Sequence, residues 1–414
     1  MSANEPRFTS AVLKLTAVCN LDCSYCYMFN QSDQTFRRVP AMMTSETADA
    51  FLDRLSTYLA IQPGRFTIVL HGGEPTLWPI DQLRRLLGGI GELRKHGADL
   101  VVRMQTNGLR LSTPLLDLLR SADVHVGVSL DGPEQYNDQY RVTAGGRGSY
   151  ARVIGQVEEA LKSGYGSIID GFLSVANPAI PVDLYLDWVA SLPVSRVDVL
   201  WPIEYHWGNP PWLPGREDEY MRAPRFGSWM AALFDAWFVR DAPEIFVRSF
   251  YDVILRALGG RRHTDSIVND ELGLFVVNTD GGYEYPDYFR AYRDGGSRTS
   301  HNVTSVDIHE LREDAGFAFC LGLGSHLPTE CRACPHVGVC GGGFLPGRFA
   351  RDPLPDRRSV LCFDHYYFFS AVRTHLSAQV VAGPQRDGLP SSPPFSSEFF
   401  EQAGAARGLV EFIQ

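Results

Sequence analysis

Eight cysteines, at positions 19, 23, 26, 320, 331, 334, 340 and 362, stand at the two ends of a 414-residue chain, with none between Cys26 and Cys320. Such clustering points to two separate sites joined by a cysteine-free scaffold. In Cys19-Asn-Leu-Asp-Cys23-Ser-Tyr-Cys26 three thiolates fall within eight residues and can hold three corners of one metal cluster. A four-iron cubane held this way keeps one iron without a protein ligand. That iron can bind a cofactor through amine and carboxylate groups and pass it one electron. Structural zinc is the competing reading, but it wants four ligands in CxxC-like pairs, and no fourth cysteine or suitable histidine follows (His71 is nearest). At the other end Cys331, Cys334, Cys340 and Cys362 can hold an iron–sulfur cluster or zinc. Cys320, in the apolar run 317–323, reads as a buried thiol, with ligating or shielding a cluster, or touching substrate, as the alternative.

These residues need a scaffold to position them. From residue 11 to about 203, β-branched runs alternate with amphipathic segments. Strands are expected over 11–17, 66–70, 101–105, 124–130, 167–175 and 196–203, and helices over 45–59, 80–93, 113–121, 149–163 and 182–191. Ser45 and Thr113 read as N-caps. Six strands alternating with helices imply an α/β fold with a parallel sheet and right-handed crossovers, open or partly closed into a barrel. In either form a ligand sits at the carboxyl ends of the strands, where the first cysteine loop and His71 fall.

Beyond the alternation, residues 204–221 carry three prolines and two glycines and read as a linker or a loop over the barrel mouth. Aromatic-rich helices are expected over 224–239 and 243–258, and a hairpin over 272–289 with its turn at 279–282. Residues 317–369 are rich in Cys, Gly and Pro and promise little regular structure. From about 378 a flexible tail is expected.

Composition narrows the function. Apolar residues make up 44% and charged residues 21%, as in ordinary globular proteins, and the net charge is 38 − 48 = −10. That balance argues against a nucleic-acid surface. No run approaches the roughly 20 apolar residues of a membrane span, and the N-terminus lacks a signal peptide, so a cytoplasmic protein with no membrane partner is expected. Thiols, metal ligands or catalysts are then expected rather than disulfides. Asn302-Val-Thr is a glycosylation sequon by spelling only. No P-loop, HExxH or nucleophile elbow is present.

The motifs at successive strand ends resemble those of the radical S-adenosylmethionine (SAM) enzymes. CxxxCxxC with Tyr25 before its last Cys follows the first strand. His71-Gly72-Gly73-Glu74-Pro closes the second, Gln105-Thr-Asn107-Gly the third, and Val128-Ser129-Leu-Asp131-Gly-Pro the fourth, with Arg141 beyond. The resemblance covers residues 11 to about 215 and implies SAM bound by Tyr25, Gly72, Gly73, Glu74, Gln105, Asn107, Ser129, Asp131 and Arg141. Glu74 is expected to accept from the methionine ammonium, the two glycines to let backbone approach the ligand, and Ser129 to bond a ribose hydroxyl. The Cys19/Cys23/Cys26 [4Fe–4S] cluster would reduce SAM to a 5′-deoxyadenosyl radical that abstracts hydrogen.

Cys331-x2-Cys334-x5-Cys340 with Cys362 resembles part of the SPASM extension, implying one auxiliary [4Fe–4S] cluster. Phe344 stands where a further ligand is usual, and the hairpin segment 280–287 has the family's turn without its cysteine. The cluster nearer the active site is therefore expected to be missing. The implied fold is a partial (β/α)6 barrel of the radical SAM type with a C-terminal SPASM-like iron–sulfur domain. Its parts are expected at 9–215 (barrel), 216–265 (helical bridge), 266–375 (SPASM-like domain) and 376–414 (tail).

The stretch 26–43 resembles the peptide maturases that form cyclophanes, linking an aromatic ring carbon to a β-carbon in ribosomally made precursor peptides. Related maturases place a substrate-facing acid where Asp280 and Asp287 stand. Glu204, after the sixth strand, faces the expected barrel mouth; it is the third catalytic candidate, although charged residues in such loops are usually solvated. Tyr27 and its neighbours line the pocket or cover the cluster. Precursor peptide and an electron donor such as flavodoxin or ferredoxin are the expected partners. No small peptide-binding domain is expected ahead of the barrel. Alternatives are dehydrogenation of a Ser or Cys as in sulfatase maturation, whose enzymes keep the full auxiliary cysteine set, and oxidation or epimerisation of a sugar or aminocyclitol. A non-catalytic iron–sulfur sensor would not need the SAM-binding set.

Overall fold

The computed structural model describes residues 6–242, 244–257, 272–350 and 357–382. The chain divides into two compact units, Met1–Leu173 with Glu271–Leu323, and Ser174–Asp270 with Gly324–Gln414. This division departs from the boundaries expected at 215 and 265, because the hairpin region folds with the N-terminal half.

The first unit opens with β1 (Ser10–Thr16), α1 (Ser45–Ile61), β2 (Phe66–Gly72), α2 (Ile80–Lys95), β3 (Leu100–Thr106), α3 (Thr113–Ser121) and β4 (Val124–Ser129). The short α4 (Glu134–Asn137), then α5 (Tyr150–Lys162) and β5 (Ile169–Val175) follow. Neighbouring strands from β1 to β5 pair in parallel. A parallel strand covered on both faces should be apolar throughout, and β1 buries Ala11, Leu13 and Leu15. Lys14, also fully buried, breaks that pattern. On α2, Leu83, Leu86, Leu87 and Ile90 form the buried i, i+3, i+4, i+7 stripe. Each such side chain contributes about 1.5–3 kcal/mol by leaving water.

Two caps move by one residue. Thr44, in extended backbone, caps α1 by accepting from Thr47 N, so Ser45 is already inside the helix. Ser112 rather than Thr113 flanks α3, and it makes no side-chain cap bond.

In the second unit, α6 (Val182–Ser191), β6 (Arg196–Leu200), α7 (Glu217–Arg222), α8 (Arg225–Arg240), β7 (Phe246–Val247) and α9 (Arg248–Ala257) run in order. The helix expected from 243 starts at Arg248, because Phe246 and Val247 pair in parallel with Arg196 and Val197 of β6.

The chain returns to the first unit with β8 (Leu274–Val277), β9 (Gly282–Glu284), β10 (Arg298–Asn302) and α10 (Ala315–Leu321). Strand β8 joins β1 in parallel, and β9 and β10 extend the edge antiparallel. In this unit the sheet reads β10-β9-β8-β1-β2-β3-β4-β5.

The second unit ends with α11 (Thr329–Arg332), α12 (Val337–Cys340) and α13 (Cys362–Ala382). The cysteine-rich stretch is thus more regular than its composition suggests. Asp314 caps α10 through the Gly316 and Phe317 amides, and aromatic residues seat α13 on α8 (Phe234 and Phe368 ring centroids 6.3 Å apart). Helix runs through 376–382, where a tail was expected; the rest of that expected tail lies outside the described residues. No helix among the described residues is long and apolar enough to cross a membrane.

Candidate active site

The first cysteine loop leaves the carboxyl end of β1. Backbone bonds tie it down: Asp22 N donates to Val142 O (2.7 Å), and Asn30 N to Cys26 O (2.8 Å). Asn30 Nδ2 reaches Cys23 O at 2.9 Å. Cys19 Sγ accepts from Leu21 N at 3.4 Å and Asn107 Nδ2 at 3.6 Å. Burial pushes the Cys19 and Cys23 thiols up to about 11, and the Cys26 thiol up as well. Three thiols of raised pKa on one loop ionise more readily against a cationic centre, as cluster ligands do.

At the second strand end the glycines serve the chain itself. Gly72 has φ +138°, and a Cβ there would lie 2.4 Å from Thr16 O; one on Gly73 would lie 2.1 Å from Val18 O. Gly73 N and Glu74 N donate to those same carbonyls at 2.7 and 2.9 Å. The Glu74 carboxylate is buried and accepts from Thr76 N (3.0 Å), Thr76 Oγ1 (2.7 Å), Thr106 Oγ1 (2.6 Å) and Asn107 N (2.8 Å). A carboxylate offers about four acceptor positions, so Glu74 braces the ends of β2 and β3. The ammonium contact expected for it has to compete with these four donors.

Gln105 Nε2 donates to Ser129 Oγ at 2.8 Å. Half-buried Tyr25 joins buried Asp131 and Arg141: Tyr25 Oη donates to Asp131 Oδ2, and Arg141 Nη1 donates to Tyr25 Oη at 2.7 Å. Burial opposes the charge on Arg141, but Tyr25 and Asp131 more than offset it and hold the guanidinium protonated. Arg141 Nε is buried without a hydrogen-bond partner among the described residues. An orphaned donor of this kind suits the carboxylate of a bound SAM, so the residues present fit that cofactor.

Of the three catalytic candidates, Asp287 lies in a cluster of charged side chains. Its Oδ2 lies 2.5 Å from Lys14 Nζ and accepts from Tyr27 Oη at 2.9 Å, and its Oδ1 accepts from Arg290 Nε at 3.2 Å. Lys14 Nζ is also 3.4 Å from His71 Nδ1. Behind them Arg290 binds Asp33 (2.5 Å) and Glu284. The side chains of Lys14, Arg290, Asp33 and Glu284 are at most 1% exposed, while Asp287 keeps 16%. Asp287 is thus less enclosed than those four. Burial pushes its carboxyl up, yet Lys14 and Arg290 prevail and hold it below the usual carboxylate range. Burial lowers Lys14, and burial with Lys14 nearby lowers His71 to about 3.

Asp280 is engaged differently. It accepts from Gly282 N at 3.0 Å in the hairpin turn and pairs with Arg298 at 2.9 Å. It is a turn residue and not one of Asp287's partners. Glu204 lies in the other unit, in the loop after β6; burial raises its carboxyl, and its carbonyl accepts from Asn209 Nδ2 at 2.9 Å. Sequence reading missed Lys14 and Arg290. The available signal was a lysine in the middle of an apolar parallel strand, a place where Lys is almost never found unpaired.

In the second unit Cys331, Cys334, Cys340 and Cys362 line one cavity of about 410 Å³ with mainly apolar neighbours such as Val337 and Phe369. Gly341, Gly342 and Gly343, at φ +56°, +90° and +81°, turn the chain away from Cys340. Burial raises Cys331, sends Cys340 well above its ordinary value and pushes Cys362 up to about 11. All four thiolates on one cavity fit an auxiliary cluster. Phe344, at the position of a further ligand, is buried. Cys320 is fully buried on α10 in the first unit, as expected of an apolar thiol.

Residues 13–175 match the radical SAM superfamily. The chain is similar to a serine-type anaerobic sulfatase-maturating enzyme of Bacteroides thetaiotaomicron (23% identity, covering 87% of this chain and 88% of the relative). It is likewise similar to one from Klebsiella aerogenes (26%, 89% and 87%) and to a cysteine-type enzyme of Clostridium novyi (22%, 85% and 91%). Its fold is similar to that of anSMEcpe with bound AdoMet and Cp18Cys peptide (TM-score 0.74, 19% identity, 89% of this chain and 98% of the other). Streptococcus suis SuiB bound to precursor peptide SuiA is a more distant match (TM-score 0.52, 16% identity, 86% and 76%).

Proposed function

We propose that this chain, an enzyme with a radical SAM domain at residues 13–175, matures a peptide by dehydrogenating a Ser or Cys side chain. The observation that carries the reading is Asp287, a carboxylate kept ionised and partly exposed beside Lys14 of β1, which also meets His71 of β2. Taking a CH–OH or CH–SH group to C=O or C=S removes a hydrogen atom, a proton and an electron. Cys19, Cys23 and Cys26 would hold a [4Fe–4S] cluster, which with bound SAM would supply the radical chemistry that removes the hydrogen atom.

The chain's own groups do the rest. Asp287 accepts the hydroxyl or thiol proton. Lys14 and Tyr27 fix Oδ2 and Arg290 fixes Oδ1, so the carboxylate is positioned before substrate arrives. Arg141, positioned by Tyr25 and Asp131, would hold the SAM carboxylate through Nε, and Gln105 and Ser129 would hold its ribose. The departing electron calls for a redox centre of the class the four-cysteine set can hold, and an external donor such as flavodoxin or ferredoxin supplies the first electron.

Serine-type and cysteine-type sulfatase-maturating relatives that align over most of the chain support this chemistry. Cyclophane formation, expected from the stretch 26–43, is the second reading. The hairpin without a cysteine favours it, since it leaves room for a bulky peptide loop. Both reactions lighten a peptide by two hydrogens. Reaction of the reduced enzyme with SAM and Ser- or Cys-containing peptides, followed by a carbonyl-trapping hydrazine, tests the proposal. A trapped carbonyl product supports it, and a lighter peptide that does not react overturns it in favour of the crosslink.

A further inference from the structure

His365 sits on the first turn of α13, three residues after Cys362, so both project from one face of the helix. The side chain is only 1% exposed, and neither Nδ1 nor Nε2 has a hydrogen-bond partner among the described residues. An imidazole always carries at least one N–H, and leaving a buried donor unpaired costs about 1–3 kcal/mol. The ring lines the same cavity as Cys331, Cys334, Cys340 and Cys362.

It is also clamped in place. Trp201 packs against it in a T-shaped pair, with centroids 4.6 Å apart at 83°. Residue 343 has φ +81°, and a Cβ there would come within 2.6 Å of His365 Nδ1, so only glycine leaves the ring its position. A ring fixed this firmly, with its polar atoms unspent, is placed for something the cavity holds.

We propose that His365 donates an imidazole N–H to a sulfur of the cluster held by the four cysteines, and so sets that cluster's reduction potential. This rests on the reading that the second cysteine set holds an iron–sulfur cluster. A hydrogen bond to a cluster sulfur favours the more negative, reduced state, because the donor stabilises the added charge. His365 is therefore a positioning and tuning residue. The four thiolates already complete the ligand set, and a fifth donor has no vacant iron to bind.

The experiment uses the full chain with Cys19, Cys23 and Cys26 replaced by Ala, so that only the second site loads. Iron analysis and spectroelectrochemical titration are carried out on this background with His365 intact, with His365→Phe and with His365→Gln. The expected result is an unchanged iron content, a midpoint shifted to more negative potential in His365→Phe, and partial recovery in His365→Gln, which keeps an N–H. An unmoved midpoint in His365→Phe at full iron overturns the tuning role alone. Iron lost from His365→Phe but kept in His365→Gln makes the residue a ligand or its neighbour, which also overturns it. Zinc, or no iron, in the His365-intact protein overturns the cluster reading itself.

Discussion

Lys14 and Asp287, 273 positions apart in the chain, meet at 2.5 Å between Nζ and Oδ2. One comes from a central parallel strand and the other from just beyond the hairpin that extends the same sheet. Their pairing lets a lysine stand within β1, and it fixes one oxygen of the Asp287 carboxylate. Removing one partner of a buried pair strands the other, typically at a cost of about 3–5 kcal/mol. Lys14→Met should therefore lower the urea midpoint of unfolding by a shift equivalent to that range. Asp287→Asn keeps the shape and should still cleave SAM when reduced while forming at least a hundredfold less modified peptide. Normal product yield from Asp287→Asn would remove Asp287 from the reaction.

His71 gives a pH signature. Its folded pKa lies at about 3, below an unfolded value near 6.5, because burial and Lys14 disfavour the imidazolium. Between those values the unfolded chain binds more protons than the folded one. The stability it contributes is complete above about pH 6.5 and falls by about 1.4 kcal/mol per pH unit as the pH drops towards 3. His71→Gln should flatten that slope between pH 6.5 and 5 in denaturation curves. An identical slope in the variant would show that other groups carry it.

Much of this was legible in the sequence. The cysteine spacings, the Gly-Gly-Glu turn and the alternation of strands and helices are local patterns, and local patterns survive being read in one dimension. Glu74 was harder, since its role depends on Thr106 and Asn107 at the end of a different strand. Asp280 and Asp287 looked alike as two acids in one hairpin region. What separates them is Lys14 and Arg290, and no short-range rule brings Lys14 to residue 287. The division into two units was hidden for the same reason: β8 is far from β1 in sequence but pairs with it in register.

Arg141 and Glu74 should now behave differently. Arg141→Lys keeps a positive charge near Tyr25 and Asp131 but deletes the orphaned Nε donor. SAM affinity should fall by about ten- to a hundredfold, the equivalent of a charged hydrogen bond worth roughly 1.5–3 kcal/mol, with iron content unchanged. Glu74→Ala leaves Thr106 Oγ1 and the Asn107 amide without their acceptor, so it should lose thermal stability and SAM binding together. Equilibrium binding beside a melting curve separates the two, and a fully stable Glu74→Ala variant would restore the simpler cofactor-only role.

Metal stoichiometry checks both cysteine sets at once. Anaerobically reconstituted protein should hold two [4Fe–4S] clusters, and the Cys19/Cys23/Cys26→Ala variant should hold one. Buried thiols of raised pKa at both sites bind metal with release of protons, so loading should weaken as the pH falls. Iron analysis with electron paramagnetic resonance reads the count. A third cluster in the wild type would mean that the hairpin without a cysteine still binds iron through other ligands.

The product is the most exposed expectation. Dehydrogenation and crosslinking begin alike, with hydrogen lost from a side-chain carbon, and both end two hydrogens lighter. They part at the next bond. If Asp287 takes a proton from an O–H or S–H on the same carbon, a carbonyl or thiocarbonyl forms and no atom beyond that residue is touched. If an aromatic ring reaches the radical carbon first, a C–C bond forms and the proton comes from the ring. Asp287→Asn should therefore depress the yield most for Ser and Cys peptides, where the proton leaves a heteroatom with a pKa far above that of Asp287. Tandem mass spectrometry places the change within one residue in the first case and between two in the second, since a crosslinked loop does not fragment. A lighter peptide with an unfragmented loop and no carbonyl would decide for the crosslink, whatever the relatives do.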